Sequence, residues 1–222
     1  ITGIIGMNGA GKSTLFKRIL GINPIDEGNI QIPDKQDIGV VLSETGFSEF
    51  FTVSDIISIL KCTYKRFDED LFHSYCQRFD IPLDKKTRTF STGMKAKLNI
   101  IIALTHHAKL LILDEPTAGL DVLTRDEILD ILRDYMEQED CTILISSHIS
   151  SDLESLCDDL YVIDHGQIIM HEEMDTLLSQ YGVLKVSKED YDNLDKDYLL
   201  KVMKEPFGYS CLTNVRQFYS EN

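Results

Sequence analysis

The stretch of sequence that decides the fold is Gly6-Met7-Asn8-Gly9-Ala10-Gly11-Lys12-Ser13. It fits G-x-x-x-x-G-K-[ST] in full, with the apolar run Thr2–Ile5 before it and the helical pattern Lys12–Leu20 after it. The glycines let the backbone curl so that N–H groups point at phosphate oxygens, and the helix start adds its positive dipole end. The alternative is a plain glycine turn. We expect a phosphate-binding loop in which Lys12 reaches the terminal phosphates and Ser13 offers a hydroxyl to Mg²⁺.

A second polar cluster follows a second apolar run. Leu110–Leu113 has the pattern of a buried strand and leads into Asp114-Glu115-Pro116. Because successive strand residues face opposite sides, the two carboxylates can take different roles. Asp114 is suited to hold Mg²⁺ through a water, and Glu115 to polarise the water that attacks a γ-phosphate. A charged loop start after a buried strand is the alternative, and the preceding phosphate loop disfavours it.

Continuous apolar runs that alternate with helical patterns predict an α/β fold with a mostly parallel sheet. The predicted strands are Thr2–Ile5, Ile38–Leu42, Leu110–Leu113, Thr142–Ile145, Leu160–Ile163 and Ile168–Met170. The predicted helices are Lys12–Leu20, Val53–Cys62, Glu69–Phe79, Thr92–Thr105, Thr124–Gln138 and Ser151–Cys157. No strand pattern occurs between residues 54 and 88, so we expect a helical lobe over about residues 54–100.

The pattern restarts after Tyr181, which predicts a small α+β appendage at residues 181–222. Its expected elements are a strand at Gly182–Val186, a helix at Lys188–Met203 and a further apolar stretch at Phe207–Leu212. The main domain is expected over residues 1–180. Since the first strand already stands at the start of the chain, we expect the preceding strands of that domain to be missing.

The composition argues against several classes of protein. The 222 residues include 37 acidic and 22 basic side chains, which gives a net charge of −15. This excess of acid disfavours a protein that neutralises nucleic-acid phosphates and one that adsorbs directly to anionic lipid. No apolar run approaches the roughly 20 residues of a membrane-spanning helix, and no secretory leader is recognised. The five scattered cysteines are expected to be reduced thiols of a cytosolic protein.

Five motifs in a fixed order carry a family resemblance. After the phosphate loop come Phe90-Ser91-Thr92-Gly93-Met94-Lys95, Leu113-Asp114-Glu115-Pro116, Thr117-Ala118-Gly119-Leu120-Asp121 and Ser146-Ser147-His148. Their order resembles the nucleotide-binding domain of ATP-binding-cassette (ABC) transporters. The resemblance covers Ile1 to about Gln180 and implies a P-loop NTPase fold with a helical signature lobe. The form Ser-x-Gly-Met-Lys resembles ATPase subunits of ABC-2-type bacterial exporters, notably those tied to antimicrobial or cytotoxic peptides.

The resemblance implies a role for individual positions. Glu115 is expected to be the catalytic glutamate, His148 the switch histidine at the γ-phosphate, and Asp114 with Ser13 the Mg²⁺ ligands. The implied ATP-binding residues are Gly6, Asn8, Gly9, Ala10, Gly11, Lys12, Ser13 and Thr14. The signature residues that meet the ATP of a second subunit are Ser91, Thr92, Gly93 and Met94, and the dimer loop Ala118–Asp121 brings Gly119 and Asp121 to the interface. Ser91 also has the pattern of a helix N-cap, which agrees with an anion site.

Three residues depart from the family pattern. Thr92 stands in place of the first glycine of the usual Leu-Ser-Gly-Gly-Gln, and Met94 in place of its glutamine. Ser43 falls where a glutamine normally ends the second strand, so it is a further candidate contact of Mg²⁺ with a shorter reach. These departures bear on ATP-dependent closure and hydrolytic rate. They keep open the alternative of a soluble or regulatory ABC ATPase with weak hydrolysis.

The resemblance implies an ATP-hydrolysing exporter subunit that is cytoplasmic and peripheral on the inner face of the cell membrane. Its partners would be a membrane subunit and a second nucleotide-binding subunit, identical or different, that closes head to tail over two ATP molecules. Nucleic acid is not expected as a partner, because ABC proteins that act on DNA or ribosomes carry long coiled coils or two cassettes.

Two further patterns bear on these partners. Phe47, Phe50 and Phe51 either pack under the helical lobe or form an apolar groove for a short helix of the membrane subunit. The net charge is +4 over residues 61–97 and −15 over residues 98–180. This division favours electrostatic complementarity across a dimer.

Overall fold

The computed structural model describes residues 1–42, 46–137 and 141–221. The chain divides into two compact units, Ile1–Met170 and His171–Asn222. The expected domain boundary near Gln180 stays a prediction. Among the described helices, none combines the length and apolar character needed to cross a membrane.

Strands and helices alternate in the first unit, as the apolar runs predict. The strands of its sheet are β1 (Thr2–Ile5), β2 (Ile38–Val41), β3 (Leu110–Asp114), β4 (Thr142–Ser146), β5 (Asp159–Asp164) and β6 (Gln167–Glu173). The helices are α1 (Lys12–Ile19), α2 (Val53–Thr63), α3 (Glu69–Arg78), α4 (Thr92–Leu104), α5 (Val122–Met136) and α6 (Ser150–Leu156). All the predicted elements of this unit are present, with ends within two residues of the expected ones, except that β6 runs three residues further.

The strand order of this sheet is β2-β3-β4-β1-β5-β6, and its pairings from β2 through β5 are parallel. The central strands are buried on both faces, since Leu111, Ile112 and Leu113 have no exposed surface. Parallel pairing brings the carboxyl ends of β1, β3 and β4 to one edge of the sheet. The register places Ser146 opposite both Ile4 and Asp114, so three polar segments converge at this edge.

The core beneath this edge is apolar. Phe16 of α1 is completely buried and packs in one cluster with Ile4, Ile112 and Ile163. These contacts anchor the helix that follows the phosphate loop against the sheet, because a well-packed interior resists displacement. The phosphate loop is therefore anchored to a rigid, well-packed part of the structure.

The helices of the lobe between β2 and β3 begin at side-chain caps. Thr52 and Asp55 form a capping box at the start of α2, Asp68 caps α3, and Ser91 caps α4. Each cap satisfies backbone N–H groups that the first helical turn leaves without partners. The signature segment thus lies at a capped helix start, as the N-cap pattern of Ser91 predicts.

The second unit contains a three-stranded antiparallel sheet of order β7-β9-β8. Its strands are β7 (Gly182–Val186), β8 (Leu199–Glu205) and β9 (Gly208–Thr213), and its helices are α7 (Met174–Gln180), α8 (Lys188–Asn193) and α9 (Arg216–Glu221). The predicted helix Lys188–Met203 is wrong beyond Asn193. Leu194 turns to extended backbone, and pairing of β8 with β9 overrides the local helix preference of residues 199–203.

Candidate functional site

The phosphate loop forms the tight curl that its glycines predict. Gly9 and Gly11 have φ of 84° and 115°, the left-handed region that favours glycine. Gly6 is required for a different reason, since an added Cβ would lie 2.4 Å from the carbonyl oxygen of Ile163. The backbone of Ala10 closes the loop, because its N–H donates to the Met7 carbonyl oxygen at 3.0 Å and its own carbonyl accepts from Gly166. The loop is therefore held by neighbouring backbone before any ligand binds.

Lys12 lies at the base of this loop with only 6% of its side chain exposed. Its Nζ donates to the Gly6 carbonyl oxygen at 2.8 Å and lies 3.2 Å from Oε1 of Glu115. A buried ammonium group needs such partners, because an unpaired charge in the interior is costly. The cation is positioned to receive an anionic ligand at this point.

The acidic pair ends β3 in a strained turn. Asp114 is 2% exposed, and its Oδ1 accepts from the Ser146 hydroxyl at 2.7 Å. Glu115 adopts a φ of 53°, which is uncommon for a residue with a side chain and costs free energy. Its backbone N–H is held by the hydroxyl and the carbonyl oxygen of Ser146, each at 3.1 Å. The turn sends the two neighbouring carboxylates into different surroundings.

His148 meets Glu115 from the end of β4. Its Nδ1 lies 2.5 Å from Oε2 of Glu115, and its backbone N–H donates to the same oxygen at 3.2 Å. The carboxylate therefore has Lys12 on one oxygen and His148 on the other. A carboxylate fixed in this way is oriented for a proton-accepting or water-polarising role.

Lys12, Glu115 and His148 line one open cavity of about 500 Å³, whereas Asp114 does not reach it. Its lining residues are Asn8, Gly9, Gly11, Lys12, Ser13, Thr14, Glu115, Ala118 and His148. Of the predicted ATP-binding residues, Gly6 and Ala10 do not line it and instead shape the loop. The structure thus brings together the phosphate loop, the acidic turn and His148.

The signature residues lie elsewhere. None of the residues from Ser91 to Met94 lines the cavity, and Ser91 and Thr92 are exposed. Ser91 Oγ accepts from the backbone N–H of Met94 at 3.2 Å, which confirms the N-cap expected from the sequence. Gly93 packs against the start of α5, where an added Cβ would lie 3.0 Å from Cγ2 of Thr124.

The dimer loop ends next to this signature contact. Asp121 caps α5, since its Oδ1 accepts from the backbone N–H of Thr124 at 3.0 Å and its Oδ2 accepts from the Thr124 hydroxyl at 2.8 Å. These hydrogen bonds lower the pKa of the Asp121 carboxyl. Gly119 has a φ of 71° and Ala118 lines the cavity, so the loop runs from the cavity to the signature. The remaining candidate, Ser43, lies outside the described residues.

The motifs did not predict roles for several polar residues around the site. Ser146 bonds Asp114 and Glu115, and Asp152 bonds Thr117 and Arg125. The sequence offers no signal for these contacts, because they join residues 27 to 35 positions apart. Each of these residues contacts a segment that carries a predicted site residue.

Comparisons with known proteins agree with this geometry. A family model described as "ABC transporter" matches residues 1–118, and another, "AAA domain, putative AbiEii toxin, Type IV TA system", matches residues 86–151. The ABC transporter ATP-binding protein YtrB of Bacillus subtilis is 30% identical over 203 residues, which cover 87% of this chain and 70% of that protein. The lantibiotic transport ATP-binding protein SrtF of Streptococcus pyogenes is 35% identical over 181 residues, 78% of each chain.

A solved structure shows the same likeness. The structure of an ATP-binding subunit of an ABC transporter is 25% identical, with a TM-score of 0.71 over 80% of each chain. Cassettes of this family bind and hydrolyse ATP, dimerise and work with membrane subunits. The chain belongs to the ABC transporter family, as an ATP-binding subunit that hydrolyses ATP.

Proposed function

We propose that the chain drives an exporter by closing head to tail with a second nucleotide-binding subunit over two ATP molecules. The observation that carries this proposal is the composition of the cavity. It contains the phosphate loop, Glu115 and His148, whereas the signature residues Ser91–Met94 lie outside it. The capped helix start, where Ser91 and Thr92 are exposed, can bind an anion but lies outside the phosphate-loop cavity of its own subunit. A second subunit supplies the phosphate loop and the ATP that this helix start meets.

The side chains of the cavity divide the chemistry of hydrolysis among them. Lys12 offers its charge to the terminal phosphates, and Glu115 polarises the attacking water while His148 orients the carboxylate. Ser13 lines the cavity, whereas Asp114 ends β3 immediately before Glu115 and does not line it; their hydroxyl and carboxylate groups are the oxygen donors that Mg²⁺ takes when it binds together with phosphates.

Charge supports the approach of two subunits. The stretch 61–97, which contains the signature, carries +4, and the stretch 98–180, which contains the acidic turn, carries −15. Opposite charges on approaching surfaces speed association and fix its orientation. We therefore expect ATP-driven dimerisation to weaken as ionic strength rises.

The helical lobe offers a place for the membrane subunit. Phe47 and Ile102 line two small cavities, one of about 190 Å³ between α2 and α4 and one of about 270 Å³ between β2, α2 and α4. Phe50 lies nearby with 66% of its surface exposed. Polar side chains such as Lys95 and Asn99 share the lining with Phe47 and Ile102, and such a mixed surface suits a short amphipathic helix. This favours the groove interpretation of the phenylalanine pattern and a peripheral position on the inner face of the membrane.

The likeness to a lantibiotic transport protein suggests the substrate class. We propose an antimicrobial or other peptide as the exported molecule. The alternative is a regulatory ABC ATPase with weak hydrolysis, which the residues Thr92 and Met94 in the signature favour. Steady-state ATPase rates measured with and without the co-purifying membrane protein separate the two, because only an exporter subunit is stimulated by its partner.

The dimer is tested with two matched cap variants. Ser91 and Ser187 both cap a helix, and each accepts a backbone N–H, at 3.2 Å and 3.1 Å respectively. Ser91→Ala and Ser187→Ala each cost about 1 kcal/mol of stability. In a Glu115→Gln background, light scattering with ATP should show a dimer for Ser187→Ala and a monomer for Ser91→Ala. Equal dimerisation of the two variants would contradict the head-to-tail arrangement.

A further inference from the structure

Asp152 is a buried carboxylate that the mechanism above does not use. It lies in the first turn of α6, four residues after His148, and has no exposed surface. Its Oδ2 accepts from the hydroxyl of Thr117 at 2.6 Å, and its Oδ1 accepts from Nε of Arg125. A buried carboxylate is stable only when it is paired and hydrogen-bonded, so these contacts hold their partners firmly.

The two partners of Asp152 stand at the two ends of the dimer loop. Thr117 is 1% exposed and immediately precedes Ala118, two residues after Glu115. Arg125 lies in the first turn of α5, where its backbone N–H donates to the carbonyl oxygen of Asp121 at 3.0 Å. The Asp152 carboxylate therefore holds the residue just before the Ala118–Asp121 loop and a residue of the helix that follows the loop.

The backbone of Asp152 is also connected, over a short stretch of chain, to His148, which lines the cavity. Only three residues separate His148 from Asp152, and His148 bonds Glu115 through both its ring and its backbone. Arg125 also donates to the hydroxyl of Ser151, so α6 is held at two consecutive residues. A displacement of the dimer loop thus reaches His148 and Glu115 through a short, packed and hydrogen-bonded connection.

We propose that Asp152, with Thr117 and Arg125, is a positioning residue that couples the dimer loop to His148 and Glu115 of the same subunit. The inference rests on the proposed head-to-tail dimer, in which the loop faces the ATP site shared with the other subunit. A change at one ATP site then alters the geometry of the other site, so ATP hydrolysis at the two sites is cooperative. None of the three residues lines the ATP cavity, so ATP affinity is not their role.

The test removes one hydroxyl from the network. Asp152→Ala leaves Arg125 without its carboxylate partner and risks the fold, so Thr117→Val is the primary variant and Thr117→Ser the conservative one. Thr105→Val is the matched control, because Thr105 is equally buried and its hydroxyl donates to the Ile101 carbonyl oxygen at 2.9 Å, away from the cavity. The measurements are kcat, the Hill coefficient for ATP and equilibrium ATP affinity, each on the full chain.

For Thr117→Val we expect kcat to fall about tenfold and the Hill coefficient to drop towards 1, with ATP affinity within twofold of wild type. Thr117→Ser should restore both kinetic values, and Thr105→Val should keep the Hill coefficient of wild type. Equal losses in Thr117→Val and Thr105→Val overturn the inference, because they show a merely structural contribution.

A wild-type ATP-driven dimer with a Hill coefficient of 1 also overturns the inference, since it has no communication to transmit. Failure of the proposed function looks different. In that case the wild-type chain forms no ATP-driven dimer at all, whatever residue occupies position 117.

Discussion

The two units of the chain differ in where their charged side chains lie. In the first unit Lys12, Asp114 and Asp152 are at most 6% exposed, and each is held by a hydrogen bond or ion pair. In the described part of the second unit, the buried polar side chains are the hydroxyl groups of Ser210 and Thr213. Buried charges are costly, so their concentration in one unit marks where the chemistry is carried out.

The packing of the two sheets explains why buried charges occur in the first unit. The central parallel strands of the first unit are packed on both faces, and their ends hold the charged groups at one edge. The antiparallel sheet of the second unit leaves Leu200 and Met203 each 54% exposed. A fully packed sheet holds buried charges in a fixed geometry, whereas a half-exposed sheet has no comparable site.

The comparison is tested most strongly by removing one carboxylate from each unit. Glu115→Gln should lower ATP turnover by at least about 100-fold, because the group that polarises water is lost, while ATP binding persists. The control is Glu205→Gln in the second unit, whose carboxylate accepts from the Ser210 hydroxyl and should be dispensable for turnover. Steady-state phosphate release measures both. Unchanged turnover in Glu115→Gln removes the assignment of the catalytic glutamate.

Core packing gives the next largest difference. Leu111→Ala removes a fully buried side chain from β3 and should lower the free energy of unfolding by about 3 kcal/mol, because a cavity remains. Leu200→Ala on β8 should cost less than about 0.5 kcal/mol, since Leu200 is 54% exposed. Urea denaturation followed by circular dichroism measures both. Similar losses would show that the second unit is as tightly packed as the first.

A buried histidine makes the first unit sensitive to acid. His106 is 1% exposed and stacks on Tyr64 at 4.0 Å, and burial lowers its pKa below the ordinary 6.5 although hydrogen bonds with the Ile38 and Ile102 carbonyls oppose the shift. Below pH 6.5 the unfolded chain binds a proton that the folded chain excludes, so stability should fall as pH decreases from 6.5 towards the folded pKa.

Substitution tests this dependence. His106→Gln should flatten the fall in the free energy of unfolding over that range, as followed by urea denaturation at several pH values. His165→Gln, at a hairpin turn where His165 is 95% exposed, is the control and should leave the curve unchanged. An unaltered acid dependence in His106→Gln would assign it to other groups.

Thiol reactivity gives the smallest expected effect. Burial raises the pKa of Cys76 and of Cys157 to about 12, so little thiolate forms at neutral pH, whereas Cys62 is exposed. Under native conditions a maleimide should modify Cys62 first, as peptide mass spectrometry will show, without loss of ATP binding. Cys62→Ser should abolish the rapid phase. Rapid labelling of Cys76 would instead indicate local opening of α3.

The sequence predicted the first unit better than the second for a physical reason. Continuous apolar runs such as Leu110–Leu113 report burial on both faces, and that signal is local. Residues 199–203 have no such run, and their strand exists because β8 pairs with β9. The partner strand β9 follows β8 directly, and pairing across this hairpin overrides the local helix preference, so the predicted helix extended too far.

The candidate site shows the same division. The phosphate loop, the acidic pair and the N-cap at Ser91 could be named from spacing, because glycines, paired carboxylates and a capping serine act over a few residues. The contact between His148 and Glu115 joins residues 33 positions apart, and Asp152 meets Thr117 across 35. Such contacts arise from the parallel register of β3 and β4, which a motif does not report.

The sequence by itself determined the chemistry available to this protein: a phosphate loop, candidates for a catalytic carboxylate and a switch histidine, and an excess of acid outside the stretch 61–97. Only the tertiary structure decided which of these groups share one cavity and which lie outside it. It also decided that Asp152 joins the ends of the dimer loop to the histidine side of that cavity. Residue types and spacing set what each group can do, whereas distances between distant segments depend on how the sheet is packed.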